Sequence, residues 1–188
     1  MKGFSKEEKM DKSTIQSYRL AKELSQLFDL EGNIDTAISV SMYNLSHFIE
    51  SERSSVFLFD PLKKLLTSFS SLDLDKDEIS FPKSLGVAGW VFEHCKHAIV
   101  NDAYEDSRFY KKIDDMTGFH TRNLICTPLI DFKDQCIGTL QSLNKKIGDF
   151  TTDDLELLNL TACMVAVAIN NSKRYNEILI THNAVESE

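Results

Sequence analysis

The sequence lacks any apolar run long enough to cross a membrane. The longest, Ala162 to Ile169, falls well short of the about 20 residues that a spanning helix requires. The charged start "MKGFSKEEKMDK" is followed by no apolar signal-peptide core, and together these absences point to a cytoplasmic chain. Positive charge is also scarce: 21 Lys and Arg stand against 29 Asp and Glu, a formal net charge of −8, and no basic stripe offsets it. A polyanion would be repelled, so nucleic acid and anionic membrane are excluded as expected partners. The four cysteines, Cys95, Cys126, Cys136 and Cys163, lie far apart within apolar segments. They are expected to be buried thiols in a reducing compartment, without pairing. "HCKH" at 94–97 offers only three candidate ligands with Lys96 among them, so no metal is expected. No Ser-His-Asp pairing, internal repeat or low-complexity tract is readable. With 188 residues and 42% hydrophobic content, the chain suits one domain with appended helices.

What is present changes period along the chain. Ile15, Tyr18, Ala21, Leu24 and Leu27 recur every three residues, and Ile34, Ile38, Met42, Leu45 and Ile49 every three or four, which predicts two amphipathic helices around a break at Gly32-Asn33. From Ser54 the segments shorten. "SSVFLFD" and "KLLTSFS" form a hairpin through an Asp60-Pro61 turn, "DLDKDE" is a solvated acidic loop, and "ISFP" is an edge strand ended by Pro82. "GVAGWVFEHC" reads as a helix with a glycine-rich first turn, "AIVND" as a strand, and Arg108 to Met116 as a helix. "RNLICTPLI" and "QCIGTLQSLNK" pair antiparallel through "DFKD". Thr151 or Thr152 caps a last helix whose first turn holds Asp153 and Asp154 and which runs on past Tyr175. The order predicts an α+β fold: one antiparallel sheet, helices packed behind it, and an inserted helical lid over a pocket on its other face.

Chemistry concentrates around that pocket. The first turn of "GVAG" has unpaired amides at the positive end of a helix dipole, a place for one phosphate. Tyr110 can donate to the same phosphate, and Phe69 on the sheet offers a face for an aromatic base. The corner "IDDMTGFHTRN" at 113–123 is denser in polar groups than a connection requires. Asp114, Thr117 and Thr121 recur at spacings of three and four, so they either point together into the pocket or cap a helix end and bond the turn at Gly118.

At these residues the chain resembles a known family. "SSVFLFD", "LGVAGWV", "FYKKIDDMTGFHTRN" and "IGTLQSLNK" followed by "FTTDD" are similar to the GAF domains of cyclic-nucleotide phosphodiesterases and of cyclic-nucleotide-regulated bacterial adenylyl cyclases, over roughly Ile34 to Tyr175. The resemblance implies three parts: an N-terminal helical segment for dimerisation or linkage at 1–32, the GAF domain at 33–172, and a helical extension and tail at 173–188. It implies a ligand set of Ser55 and Phe69 on the sheet with Phe69 against the purine, Val87 and Ala88 donating to the cyclic phosphate, Tyr110 beside them, Asp114, Thr117 and Thr121 as a polar lid, and Gln141 near the ribose or base. The subgroup's signature is present as Asn144, Lys145, Phe150 and Asp154, with Leu155 where its last acidic member would stand, and a Lys145–Asp154 pair is expected to brace the fold outside the pocket. Ser70 stands where some cGMP-binding relatives carry Asp. Its hydroxyl donates or accepts and tolerates adenine, which favours cAMP slightly over cGMP.

The resemblance thus implies a regulatory cyclic-nucleotide-binding domain, not an enzyme, with no cofactor and no metal. A ligand-free dimerising or scaffolding domain is the alternative. A free methionine sulfoxide reductase of GAF type comes third, disfavoured because Cys126, Cys136 and Cys163 are set in apolar runs with no cationic neighbour adjacent in sequence. No HD-type phosphodiesterase or cyclase catalytic segment is readable, so the chain is expected to be either a fragment of a larger signalling protein or a partner-dependent module. The seam Leu157, Leu160, Met164, Val167 and Asn171 continues toward Tyr175 either as a packing surface or as a frayed end. A homodimer is expected through Tyr18, Leu24 and Phe28 with Leu160, Met164 and Tyr175.

Overall fold

The structure, a computed structural model, describes residues 12–29, 34–69 and 79–186, with the side chains of 14–26, 34–69 and 79–175. The Gly32-Asn33 break, the acidic loop at 73–78 and Ser70 lie outside the described residues, as does the side chain of Phe28.

Helices α1 (Lys12–Asp29) and α2 (Ile34–Ile49) lead into β1 (Ser51–Asp60) and β2 (Leu65–Phe69). The turn between these strands is held by the Asp60 carboxylate, which accepts from the amides of Leu62 and Lys63 at 2.8 and 3.1 Å. Then come β3 (Ser80–Pro82), α3 (Gly86–His94), β4 (Ala98–Val100), α4 (Lys112–Thr117), β5 (Leu124–Ile130), β6 (Cys136–Lys145) and α5 (Thr152–Glu186). The six strands form one antiparallel sheet in the order β3-β2-β1-β6-β5-β4. The fold is α+β, with a core on each face of the sheet.

Alternation along the strands decides which face each side chain joins. Val56, Ile125, Leu129 and Leu140 point into the larger core, where they meet Ile38, Met42, Leu45 and Ile49 of α2 and Leu158, Ala162, Val165 and Ile169 of α5. Leu20 and Leu24 of α1 are fully buried in the same core. Phe57, Leu66, Leu124 and Cys126 point the other way and meet Val87, Ala88 and Val91 of α3.

Two expectations change here. The helix expected from Arg108 begins only at Lys112. The Asp106 carboxylate accepts from the Arg108 amide at 2.9 Å and also grips the Arg108 guanidinium at 2.6 Å, so residues 106–108 close a side-chain-bonded turn in place of a helical one. The cysteines are not uniformly buried either: Cys126 is, Cys136 is half-buried, and Cys95 and Cys163 are exposed because they fall at a helix end and on the outer face of α5.

Candidate functional site

Between the smaller core and the α3–α4 lid lies a cavity of about 70 Å³. Its floor is built by strand alternation: Arg53, Ser55 and Phe57 project from β1, and Gln141 and Leu143 from the neighbouring β6, with Ser55 directly opposite Gln141. Its wall is the first turn of α3, Gly86, Val87 and Ala88, whose amides receive no side-chain cap from Leu85. That turn can sit so low because Gly89 packs on the Lys83 carbonyl, where a Cβ would come within 2.5 Å of the oxygen. Phe109, Tyr110, Ile113, Asp114, Thr117, Phe119 and Thr121 form the roof.

Eight residues singled out in the sequence therefore meet around one space: Ser55, Val87, Ala88, Tyr110, Asp114, Thr117, Thr121 and Gln141. Phe69 does not. It pairs with Val56, whose side chain is fully buried in the helical core, so Phe69 faces α1, α2 and α5 and cannot stack on anything in the cavity. The phenylalanine rings at the cavity are instead Phe57, Phe81, Phe109 and Phe119, with Tyr110 beside them. Arg53, which also lines the cavity and lies over the Phe119 ring at 5.9 Å, was overlooked in the sequence although the two-residue period from Ser55 identifies both it and Phe57. Among the described residues Arg53 has no carboxylate partner, since Glu52 pairs with Arg122 at 2.9 Å.

The polar corner at 113–123 is a bonded clasp. Asp114 is buried and accepts from the Thr121 amide at 2.6 Å, the Thr121 hydroxyl at 2.7 Å and the Tyr104 hydroxyl at 3.1 Å. Thr117 donates back to the Ile113 carbonyl at 2.8 Å, and the Gly118 amide, in left-handed backbone, donates to the Asp114 carbonyl at 2.8 Å. Beyond it, Asn144 accepts from the Arg122 amide and donates to Glu52 and to the His120 carbonyl, while Asn123 accepts from the Lys145 amide. The signature residues thus lie outside the cavity: Lys145 bonds Asp154 at 2.7 Å and the Ile49 carbonyl at 2.6 Å, and Phe150 is in the helical core.

Charge around the lid is held in place. Hydrogen bonds from Asn144 and then Arg122 keep the Glu52 carboxyl below its ordinary value, against some desolvation. Arg108 does the same to Asp106, and Arg108 in turn lies 4.6 Å over the Trp90 ring, tying the 106–110 segment to α3. His94 stacks on the same Trp90 ring at 4.6 Å, and among the described residues no group of three potential ligands gathers for a metal.

A sheet with helices behind it and a helical lid over a small cavity defines the class, and the family model agrees: the GAF domain model matches residues 33–169, so the chain belongs to the GAF domain family. Among curated proteins it is similar to the dual 3',5'-cyclic-AMP and -GMP phosphodiesterase 11A of Takifugu rubripes, 27% identical over 179 residues that cover 84% of this chain and 20% of that protein. It is also similar to the dual 3',5'-cyclic-AMP and -GMP phosphodiesterase 11 of Drosophila melanogaster, 29% identical over 154 residues, 72% of this chain and 10% of that one. The chain thus spans a fifth or less of these relatives. Among solved structures, the GAF domain of a phosphoenolpyruvate-protein phosphotransferase from Coxiella burnetii superposes with a TM-score of 0.76 at 14% identity, covering 89% of this chain and 99% of that one. The free methionine-R-sulfoxide reductase of Neisseria meningitidis does so with 0.71 at 17%, covering 93% and 98%.

Proposed function

We propose that this chain is a regulatory domain that binds a cyclic nucleotide under the α3–α4 lid, cAMP ahead of cGMP, and that it works without catalysis, cofactor or metal. The observation that carries the reading is the convergence on one cavity of the uncapped first turn of α3, the Arg53 guanidinium, the hydrogen-bonding pair Ser55 and Gln141, and a set of phenylalanine rings. A cyclic phosphate needs amide donors and positive charge, its ribose and base edge need mixed donors and acceptors, and a purine needs an apolar face. The names of the phosphodiesterase relatives support the same ligand class. The preference for adenine rests on Ser70 alone.

Against the reductase reading, no cysteine is among the described residues that line the cavity. The enclosed volume, about 70 Å³, is below the about 300 Å³ at the small end of ligand pockets. A nucleotide therefore enters by displacing the lid, and lid order becomes the signal that the terminal helices pass to an output domain or partner protein. That same narrowness favours a second reading, a ligand-free scaffold. Thermal melts with cAMP, cGMP and 5'-AMP decide between them. At 100 times the dissociation constant a bound nucleotide adds about 2.7 kcal/mol to stability. No shift with any of them at millimolar concentration overturns the binding reading and leaves the scaffold. We further propose a cytoplasmic homodimer that engages neither nucleic acid nor membrane; no described helix is long and apolar enough to cross a bilayer.

A further inference from the structure

The segment that follows β4 meets α3 at two points one helical turn apart. At the first, Tyr110 crosses Gly86: a Cβ built on that glycine would lie 3.5 Å from the Tyr110 Cβ, an ordinary contact distance. At the second, the Arg108 guanidinium lies 4.6 Å over the ring of Trp90, the chain's single tryptophan. Arg108 is itself held there. Its Nε and Nη2 donate to the two oxygens of Asp106 at 2.9 and 2.6 Å, and the Asp106 carbonyl accepts from the Phe109 amide at 2.9 Å. Residues 106–110 are thus bonded to one another and seated on α3. Tyr110 is at the cavity end of that seat, beside the uncapped first turn, and its hydroxyl has no hydrogen-bond partner among the described residues.

We propose that Arg108 is a positioning residue for the phosphate end of the cavity: stacked on Trp90 and forked to Asp106, it fixes residues 106–110 on α3 so that the Tyr110 hydroxyl and the first-turn amides converge on one anion. The identity of that anion rests on the cyclic-nucleotide reading above. Arg108 does not touch the ligand, since it is not among the residues that line the cavity and its charge is met by Asp106. What it supplies is preorganisation. Without the stack and the fork, Tyr110 would have to be ordered at the moment of binding, and that ordering would be taken out of the affinity. Lysine keeps the charge but lacks the planar group that lies on a ring and takes both carboxylate oxygens at once.

The test compares the full wild-type chain with Arg108→Gln, Arg108→Lys, Tyr110→Phe and the double variant of Arg108→Gln with Tyr110→Phe, each checked for folding by circular dichroism. Arg108→Gln should weaken cAMP about 10-fold, the worth of one hydrogen bond to a charged group, while adenosine, which has no phosphate, binds as it does to wild type. Arg108→Lys should lose as much. Adding Arg108→Gln to Tyr110→Phe should cost nothing further, because Arg108 acts through that hydroxyl. Equal losses for cAMP and adenosine, full affinity in Arg108→Lys, or additive losses in the double variant would each overturn the role. Two measurements need no ligand. In Arg108→Gln, acrylamide should quench Trp90 more strongly, and the Phe109 and Ile113 amides, bonded at 2.9 and 3.2 Å, should exchange faster. Quenching and exchange unchanged from wild type would overturn the assignment by themselves. A wild type that binds no nucleotide while both measurements respond would instead remove the cyclic-nucleotide reading and leave Arg108 as the anchor of Tyr110.

Discussion

An ionised carboxylate has about four acceptor sites, and Asp114 fills three of them from Thr121 and Tyr104. It has little capacity left for a base edge, so its first role is to hold the lid. Asp114→Asn should cost about 1–3 kcal/mol, because an amide nitrogen facing the Thr121 donors leaves a buried group unpaired; the urea midpoint measures it, and a midpoint unchanged from wild type would show that the clasp carries no stability. Phe69 and Arg53 make the opposite contrast. Phe69→Ala removes packing from the helical core and should lower stability while leaving nucleotide affinity alone, whereas Arg53→Gln should leave stability alone and weaken binding roughly 10- to 100-fold, the worth of a charge-assisted bond. Calorimetry that shows both affinities reduced alike would contradict the face assignment. Asp106 provides the pH test. Arg108 holds its carboxyl below the ordinary 3.8, so its contribution is fully present above that value and is lost as pH falls through the lower folded-state value. The acid limb of the unfolding midpoint should be shallower in Asp106→Asn than in wild type.

At the scale of elements, the parts that the sequence made legible are those with a period. The apolar spacing of α2, the alternation of β1 and β6 and the acidic first turn of α5 each follow from local side chains, and they placed the sheet and the helical layer, whereas Ser55 and Gln141 at the cavity were reached through the family resemblance. What stayed illegible depends on partners distant in the chain. The face of Phe69 is set by its pairing with Val56, and the short α4 by Asp106 turning toward Arg108 instead of capping a helix. The start of α5 was left open between two threonines, and the bonds choose Thr151: its hydroxyl accepts from the Asp154 amide at 3.3 Å while its own amide donates to the Asp154 carboxylate at 2.9 Å. Asp154 therefore serves two ends at once, since its other oxygen takes the Lys145 ammonium. Thr151→Ala should destabilise the fold by about 0.5–2 kcal/mol. Thr152→Ala, one position inside the helix, should be close to neutral, and equal losses for the two would place the cap elsewhere.

At the scale of the whole molecule, the proposed homodimer requires exposed groups on the terminal helices. Leu24 cannot serve a partner, because it is fully buried in the chain's own core, and Met164 packs against that core as well. Tyr18 and Tyr175, 65% and 62% exposed, remain available, and Val167 on α5 is 54% exposed. α5 runs from Thr152 to Glu186, about 50 Å at the helical rise, much longer than the sheet it covers. A homodimer built on the outer faces of α1 and α5 would bury these groups along a two-fold axis beside the cavities, so that lid order could change helix angle in both chains together. Removing residues 1–30 is a poor probe of this, since it also strips Leu20 and Leu24 from the core, at about 1.5–3 kcal/mol each. The paired substitution Tyr18→Glu and Tyr175→Glu leaves the core intact and puts like charges across the interface. Sedimentation should show wild-type dimer giving way to folded monomer in that variant, with nucleotide binding retained. A wild-type chain that stays monomeric up to about 100 μM, where an interface worth only about −5.5 kcal/mol would be half formed, would remove the dimer, and with it the idea that the two lids act together.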